Sequence, residues 1–508
     1  MRGKVRASRV AAAAVAALAL WSFARSSPAV AAGAQALRGS VFKIQISSNE
    51  PSFTDPWKRL PAGSSSGTGF YIGEPGILTN AHVVANASFI TVLRDGDSRP
   101  VPATVKFIAH DADLALLEVA DESVLKGVTA MRFGSLPKLR SPVTTIGFPT
   151  GGEQLSITAG IVSRISYRRY VHHGSARHLL VQVDSAINPG NSGGPVVQGR
   201  EVVGVAFQSF TSAENTGYII PTPVIRHFLK DVEDGRYDGH PDDGLTTMES
   251  AMTNPSTAAF HGLSLDDGGV KVAHVAKWAP TAKGIETGDI LLAIDGQPIG
   301  VDGKVSFQGE RVDFRTVFDL KLVGEQAVFK VARSGAVLPV TVQVKASLPH
   351  PVPEYVYARR PRYLVWGGLV FTTLTRSWLR TWGERWYREA PLAVRFFDAY
   401  SRFEPSTHDA REIVVLAKRL PDAVNAYATG NVSGIVASVD GHAVKRLEDL
   451  IDGLEGPTRG GKTPTGDQEF AVIAFQGSED PLVLSRPAVA ARNEAINKTY
   501  GVTPDRWL

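Results

Sequence analysis

The segment Asn188-Pro189-Gly190-Asn191-Ser192-Gly193-Gly194-Pro195 suits neither a helix interior nor a central strand. Proline lacks the N–H that either ladder needs, and glycine is favoured where the backbone turns to positive φ or approaches a ligand closely. The composition therefore predicts a tight irregular loop with one hydroxyl in its middle. In such a loop the amides of Gly190 and Ser192 can converge beside the Ser192 hydroxyl. Two N–H donors beside a nucleophile stabilise a developing oxyanion, which is a large contribution in acyl-transfer catalysis.

Upstream of this loop, short apolar runs alternate with turn residues. Val41 to Ile46 alternates apolar and polar as a half-buried strand does. A Pro-, Ser- and Gly-rich loop is expected over Ser47–Ser66. Strands are expected at Gly69–Ile72, Gly76–Thr79, Phe89–Leu93, Ala103–Phe107, Leu114–Val119, Val143–Gly147, Gln154–Ile165, Leu179–Val183 and Glu201–Phe207. A short helix is expected at Val224–Val232. Many short strands with frequent turns predict a closed barrel or sandwich, hence a mainly β fold.

Two residues of this region have the chemistry to serve Ser192. His82 follows a predicted strand in Thr79-Asn80-Ala81-His82-Val83-Val84, and Asp113 precedes one in Asp111-Ala112-Asp113-Leu114-Ala115-Leu116-Leu117. An imidazole accepts the serine proton and returns it to the leaving amine, while a buried carboxylate fixes its tautomer. Taken singly, His82 reads as a packed core histidine and Asp113 as a turn residue; together with the glycine loop they read as a triad. Gly190-Asn191-Ser192-Gly193-Gly194 also satisfies the Gly-x-Ser-x-Gly pattern of α/β-hydrolases. That fold places its acid and histidine after the serine. Here His82 and Asp113 come first, the order of the double-barrel serine proteases.

These three motifs resemble the signatures of the HtrA/Deg family, ATP-independent serine endopeptidases of protein quality control. The resemblance implies a trypsin-like double β-barrel over residues 36–232, with His82 as base, Asp113 as orienter, Ser192 as nucleophile, and the Gly190 and Ser192 amides as oxyanion hole. Asn215 to Pro221 resembles the family's loop beside the primary specificity pocket, whose lining is expected from Ala186, Gln208 and Tyr218. Basic-specific relatives of this fold carry an aspartate six positions before the serine. Ala186 stands there instead, so cleavage after small or medium apolar residues is expected.

The chain has 508 residues, about three or four domains' worth. Asp231–Asp243 reads as a polar, Gly-rich linker. Beyond it, Gly269–Val272 and Gly288-Asp289-Ile290-Leu291-Leu292-Ala293-Ile294-Asp295-Gly296 resemble a circularly permuted PDZ domain of bacterial type, expected over residues 244–350. Such domains add an extended peptide to a sheet edge, and the carboxylate-binding loop is expected at Gly244, Leu245 and Thr246. Gly434 to Val444 repeats the Asp-Gly turn at Asp440-Gly441, which predicts a second, atypical PDZ-like unit over 360–490 and a C-terminal extension at 491–508. The fold class is thus a double β-barrel followed by two PDZ-like α+β domains. Tyr363–Leu374 is expected to be a buried strand pair, and Trp378–Arg395 a helix whose aromatic residues pack in the core. Tyr363–Leu374, Asn215–Pro221 and the ending Tyr500-Gly501-Val502-Thr503 resemble the Deg branch known from plant organelles.

The formal charge of +4 has a local origin. Arg2, Lys4, Arg6, Arg9 and Arg25 fall in the first 31 residues without an acid, so their removal takes the remainder to −1. No nucleic-acid partner is implied. A basic stretch, the apolar run Val10–Trp21 and the small residues Ala29-Val30-Ala31 form the layout of a secretory signal peptide over residues 1–31. Export to a periplasm is expected, with an organelle lumen reached by a transit peptide as the alternative; the apolar run is too short for a stable membrane span. Cysteine is absent, so disulfides and thiolate metal sites are excluded. His172, His173 and His178 lie in one stretch with Arg168, Arg169 and Arg177 and no neighbouring carboxylate, and are expected on an exposed loop without metal. No cofactor is expected. Unfolded polypeptides are the expected substrates and a homo-trimer, or a multiple of it, the expected assembly. The alternative function is a chaperone that binds misfolded chains through its PDZ domains with little proteolysis; a small-molecule esterase is disfavoured by the peptide-binding repeats.

Overall fold

The computed structural model describes residues 33, 35–74, 76–149, 154–209, 217–347, 351–400, 412–426, 428, 432–455 and 469–508. The targeting segment expected at residues 1–31 lies outside them, as do Asn215 and Thr216. Among the described residues, no helix is long and apolar enough to cross a membrane.

Two closed β-barrels form the first half. Strands β1 (Val41–Ser48), β2 (Gly63–Tyr71), β3 (Ile77–Thr79), β4 (Ala87–Arg94), β5 (Val101–Ala109) and β6 (Leu114–Val119) close in the order β1-β2-β3-β6-β5-β4. After β7 (Arg132–Phe133) come β8 (Pro142–Gly147), β9 (Ser156–Arg169), β10 (Arg177–Val183), β11 (Pro195–Gln198), β12 (Glu201–Ser209) and β13 (Gly217–Pro221). They run β11-β8-β9-β10-β13-β12, and the β11–β12 pairing closes the ring. Closure removes the free edges that would otherwise pair with other chains. Phe42, Ile44, Ile77, Val92 and Leu117 fill the first barrel, while Val181, Val183, Val205 and Ile219 belong to the larger core of the second. The terminal helix spans Thr222–Asp231.

The expected loop 47–66 ends early. β2 already begins at Gly63 and runs Gly63–Ser66 antiparallel to Ser48–Gln45. A Ser- and Gly-rich strand carries no apolar alternation, so only its partner β1 reveals it.

In the next unit, Leu245–Met248, Val270–Val275, Ile290–Ile294, Gln326–Arg333 and Ala336–Gln343 form one sheet in that order. Further on, Phe470–Phe475 pairs with Val436–Val439 and Leu482–Ser485. The two Asp-Gly turns are built alike. Asp295 and Asp440 have φ of 47° and 50°, followed by glycines at 77° and 79°. Each aspartate donates its amide to a carbonyl on the facing strand and accepts that residue's amide on its side chain, through Val328 and Val472 respectively, all at 2.8 Å. This matched turn is the internal repeat made physical.

Tyr363–Trp366 and Leu369–Thr373 form the expected buried hairpin, turning at Gly367 and Gly368, both at positive φ. The final strand Arg506–Trp507 pairs with Tyr363 and Leu364. The aromatic stretch is not one helix, because Gly383 at φ 86° and Pro391 break it into short pieces ending in Leu392–Tyr400. Trp378 is buried in the core, with Trp382 and Trp386 packed against it.

Candidate active site

β3 ends at Thr79, and the one-turn helix Ala81–Val84 places His82 at the barrel rim with a third of its side chain exposed. Asp113 sits in the turn before β6, fully buried, at a φ of 51° that a side-chain-bearing residue rarely adopts. Its conformation is held from both sides. The Asn80 side-chain amide donates to the Asp113 carbonyl at 2.9 Å, and the carboxylate accepts the His82 backbone N–H at 2.6 Å. The other carboxylate oxygen lies 2.5 Å from His82 Nδ1. Nδ1 must then carry its proton toward Asp113, which leaves Nε2 as the basic nitrogen.

The glycine loop docks against this same region. Gly193 has φ 84°, and a Cβ there would lie 2.1 Å from the Thr68 carbonyl oxygen and 3.2 Å from the Asn80 nitrogen. Only glycine permits that approach. Gly67 is wedged likewise between the Val83 side chain and the Ser192 carbonyl. Thr68, buried in β2, is the organiser. Its amide donates to the Ser192 carbonyl at 2.9 Å, and its hydroxyl donates to the Gly190 carbonyl at 2.7 Å. That hydroxyl also accepts the Phe148 amide at 2.9 Å. Among the described residues, neither the Gly190 nor the Ser192 amide has a hydrogen-bond acceptor.

The Ser192 hydroxyl donates to the Phe207 carbonyl at 3.1 Å, and the Phe207 ring lies 6.3 Å from the His82 ring, centre to centre. Phe207 thus stands between the two, its carbonyl taking the Ser192 hydroxyl and its ring near the His82 that Asp113 holds.

Ala186 is half-buried, its carbonyl accepting from the Thr158 hydroxyl at 3.1 Å. Gly217 packs against Ile187 and the Ser185 carbonyl, bringing its neighbour Tyr218 beside the Ala186 segment. The Gln208 backbone pairs with Tyr218; its side chain lies outside the description. At the expected PDZ loop, Gly244 has φ 62°, and the Gly244 and Leu245 amides donate to the Asp242 and Asp243 side chains at 2.8 and 2.9 Å.

The sequence did not place His110, His172 or Tyr357 beside the site. His172 lies 6.1 Å from the His82 ring, accepts or donates at 2.9 Å to His110, and stacks on Tyr357, which arrives from the segment joining the two PDZ-like units. The Tyr357 hydroxyl donates to the His172 carbonyl at 2.6 Å. Burial pushes His172 down to about 4 and lowers His110 as well. The expectation of an exposed histidine loop is corrected here: His172 and His173 are half-buried, and His178 is 2% exposed. Segments remote in sequence cover them.

Residues 67–205 match the trypsin-like peptidase domain family and residues 352–506 the PDZ domain family. Three proteins of Arabidopsis thaliana are similar over much of the chain. Protease Do-like 4, mitochondrial, is 39% identical over 67% of this chain and 65% of its own length. Putative protease Do-like 3, mitochondrial, is 37% identical over 67% of this chain and 60% of its own. The chain therefore spans somewhat under two thirds of these two relatives. Protease Do-like 2, chloroplastic, is 32% identical over 92% of this chain and 74% of its own length.

Proposed function

Because the chain belongs to the Deg/HtrA (Do-like) family of serine proteases, we propose that it is an ATP-independent serine endopeptidase that cleaves unfolded or damaged proteins. The observation that carries this reading is the two-pronged grip of Asp113 on His82, at 2.6 and 2.5 Å, beside a nucleophile loop docked on the same segment. In the proposed cycle, Ser192 Oγ rotates from the Phe207 carbonyl toward His82 Nε2 and attacks the scissile carbonyl carbon as Nε2 takes its proton. Asp113 stabilises the imidazolium, and the Gly190 and Ser192 amides receive the carbonyl oxygen as it becomes negative. His82 returns the proton to the departing amine, leaving an acyl ester on Ser192. A water activated by His82 then hydrolyses that ester.

The pocket reading is cleavage after Val, Ala, Ile or Leu, supported by Ala186 and by Ile187 behind Gly217. The first PDZ-like unit is proposed to capture polypeptide along Leu245–Met248; a terminal carboxylate at Gly244, Leu245 and Thr246 must displace Asp242 and Asp243. An organelle lumen is the proposed location, supported by the mitochondrial and chloroplastic relatives, and a trimer or multiple of it the proposed assembly.

Casein digestion by the wild type and by Ser192→Ala tests the function. The expected result is cleavage by the wild type alone. If both are inert at elevated temperature yet suppress aggregation, the protein acts as a chaperone and the protease reading fails.

A further inference from the structure

A second histidine–aspartate cluster lies behind the turn that carries Asp113, and the proposed proteolysis does not use it. Its members come from three parts of the chain. His178 belongs to β10 of the second barrel, His240 to the linker, and Asp319 ends the helix Arg315–Asp319 of the first PDZ-like unit. All three are at most 7% exposed. His178 Nδ1 lies 2.9 Å and His240 Nδ1 3.2 Å from the same oxygen, Asp319 Oδ1, and one ligand atom from each residue falls within 4.8 Å of the others. His240 Nδ1 is also 2.9 Å from the Asp319 carbonyl oxygen.

The outer contacts are those of an oriented ligand set. His178 Nε2 lies 3.1 Å from the Asp111 carbonyl, which can only accept, so Nε2 carries a proton. A metal-bound histidine is held in this way, by its other ring N–H on a carbonyl or carboxylate. The remaining nitrogen, Nδ1, then faces a carboxylate oxygen, and a cation must stand between two such acceptors. A proton meets that requirement for one contact. It leaves Asp319 Oδ2 and His240 Nε2 buried without hydrogen-bond partners among the described residues, which is costly in a low-dielectric interior. His227, whose ring stacks on His240 at 3.9 Å, contributes a third buried polar atom without a partner, Nδ1. Asp111 adds a second, half-buried carboxylate, held by the Tyr237 hydroxyl at 2.7 Å and the His240 amide at 3.2 Å. Two imidazoles and a carboxylate suit zinc or a similar borderline divalent ion. The cluster borders a cavity of roughly 1460 Å³, which gives an ion a path inward.

We propose that His178, His240 and Asp319 bind a divalent transition-metal ion of the zinc class, pinning the first PDZ-like unit to the protease barrels. Because His178 also holds the Asp111 carbonyl, two residues before Asp113, the ion steadies the turn that carries the catalytic carboxylate.

The test uses the tag-free full chain, stripped with chelator and titrated with Co²⁺ while its visible spectrum is followed, with Zn²⁺ counted by elemental analysis. The expected result is saturation at one ion per chain, displacement of cobalt by zinc, and a melting temperature that rises with zinc and returns with chelator. Asp319→Asn and the pair His178→Gln/His240→Gln should lose the spectrum and the thermal shift; His173→Gln, on the neighbouring loop, should keep both. Circular dichroism of each stripped variant verifies its fold, and if Asp319→Asn does not fold the histidine pair decides. No saturable uptake by the wild type, or uptake undiminished in the folded variants, overturns the proposal. Neither readout depends on peptide hydrolysis, so the metal reading and the protease reading fail separately.

Discussion

Asp113→Asn tests the geometry of the candidate site most sharply, because the two contacts of Asp113 dictate how an amide must sit. One carboxylate oxygen accepts the His82 backbone N–H at 2.6 Å, a donor that cannot turn away. The asparagine carbonyl must take that position, since an NH₂ there would oppose another donor. The NH₂ group is then forced toward Nδ1, where the other oxygen now lies 2.5 Å from the ring. Nδ1 becomes an acceptor and the proton moves to Nε2, the nitrogen that should receive the Ser192 proton. The fold is spared, because the replacement is nearly isosteric at a fully buried position. A wrong tautomer with intact geometry costs about 10⁴ in kcat, or about 5 kcal/mol of transition-state stabilisation at roughly 1.4 kcal/mol per tenfold. The assay is steady-state cleavage of a fluorogenic peptide with an apolar residue before the scissile bond. KM should stay near the wild-type value while kcat falls. A loss under about tenfold, or one confined to KM, would show that Asp113 does not set the His82 tautomer.

Gly193→Ala puts a methyl 2.1 Å from a backbone oxygen at φ 84° and should cost about 2–5 kcal/mol in denaturant unfolding, together with activity; a wild-type midpoint would contradict the docking of the loop. His172, lowered to about 4 by burial, stays neutral when folded but takes a proton in the unfolded chain below about 6.5. Stability should therefore fall as pH drops from 6.5 to 4 and then level off, by up to roughly 3 kcal/mol, with His172→Gln losing that share of the slope; equal urea midpoints-versus-pH for both proteins would refute it. A peptide library should return Val, Ala, Ile or Leu before the cleaved bond, and a strong Arg or Lys preference would overturn the role given to Ala186.

What was legible in the sequence was what chemistry restricts to a few residue types. A base, its carboxylate and a serine among glycines leave little freedom, and the Asp-Gly turns at Asp295 and Asp440 announce the repeat because few residues accept positive φ in succession. Thr68 was illegible for the opposite reason. It stands in a Ser- and Gly-rich stretch without periodicity, and its role comes from reaching Gly190, 122 residues away. The same holds for His178, whose carboxylate partner Asp319 lies 141 residues downstream. Residues 168–178 hold histidines and arginines but no carboxylate to complete a site. Tyr357 reaches His172 across 185 residues, so its place beside the catalytic rim is set by how the domains pack and not by any local pattern.

His82 activates one alcohol in this proposal, that of Ser192. Labelling with a fluorophosphonate, followed by mass-spectrometric mapping, measures this directly, since the reagent phosphonylates only a serine activated by its base. The adduct is expected on Ser192 in the wild type and is expected to be lost in His82→Ala. An unlabelled wild type under conditions where casein is cleaved, or an adduct on Ser192 that forms as fast without His82, would contradict it.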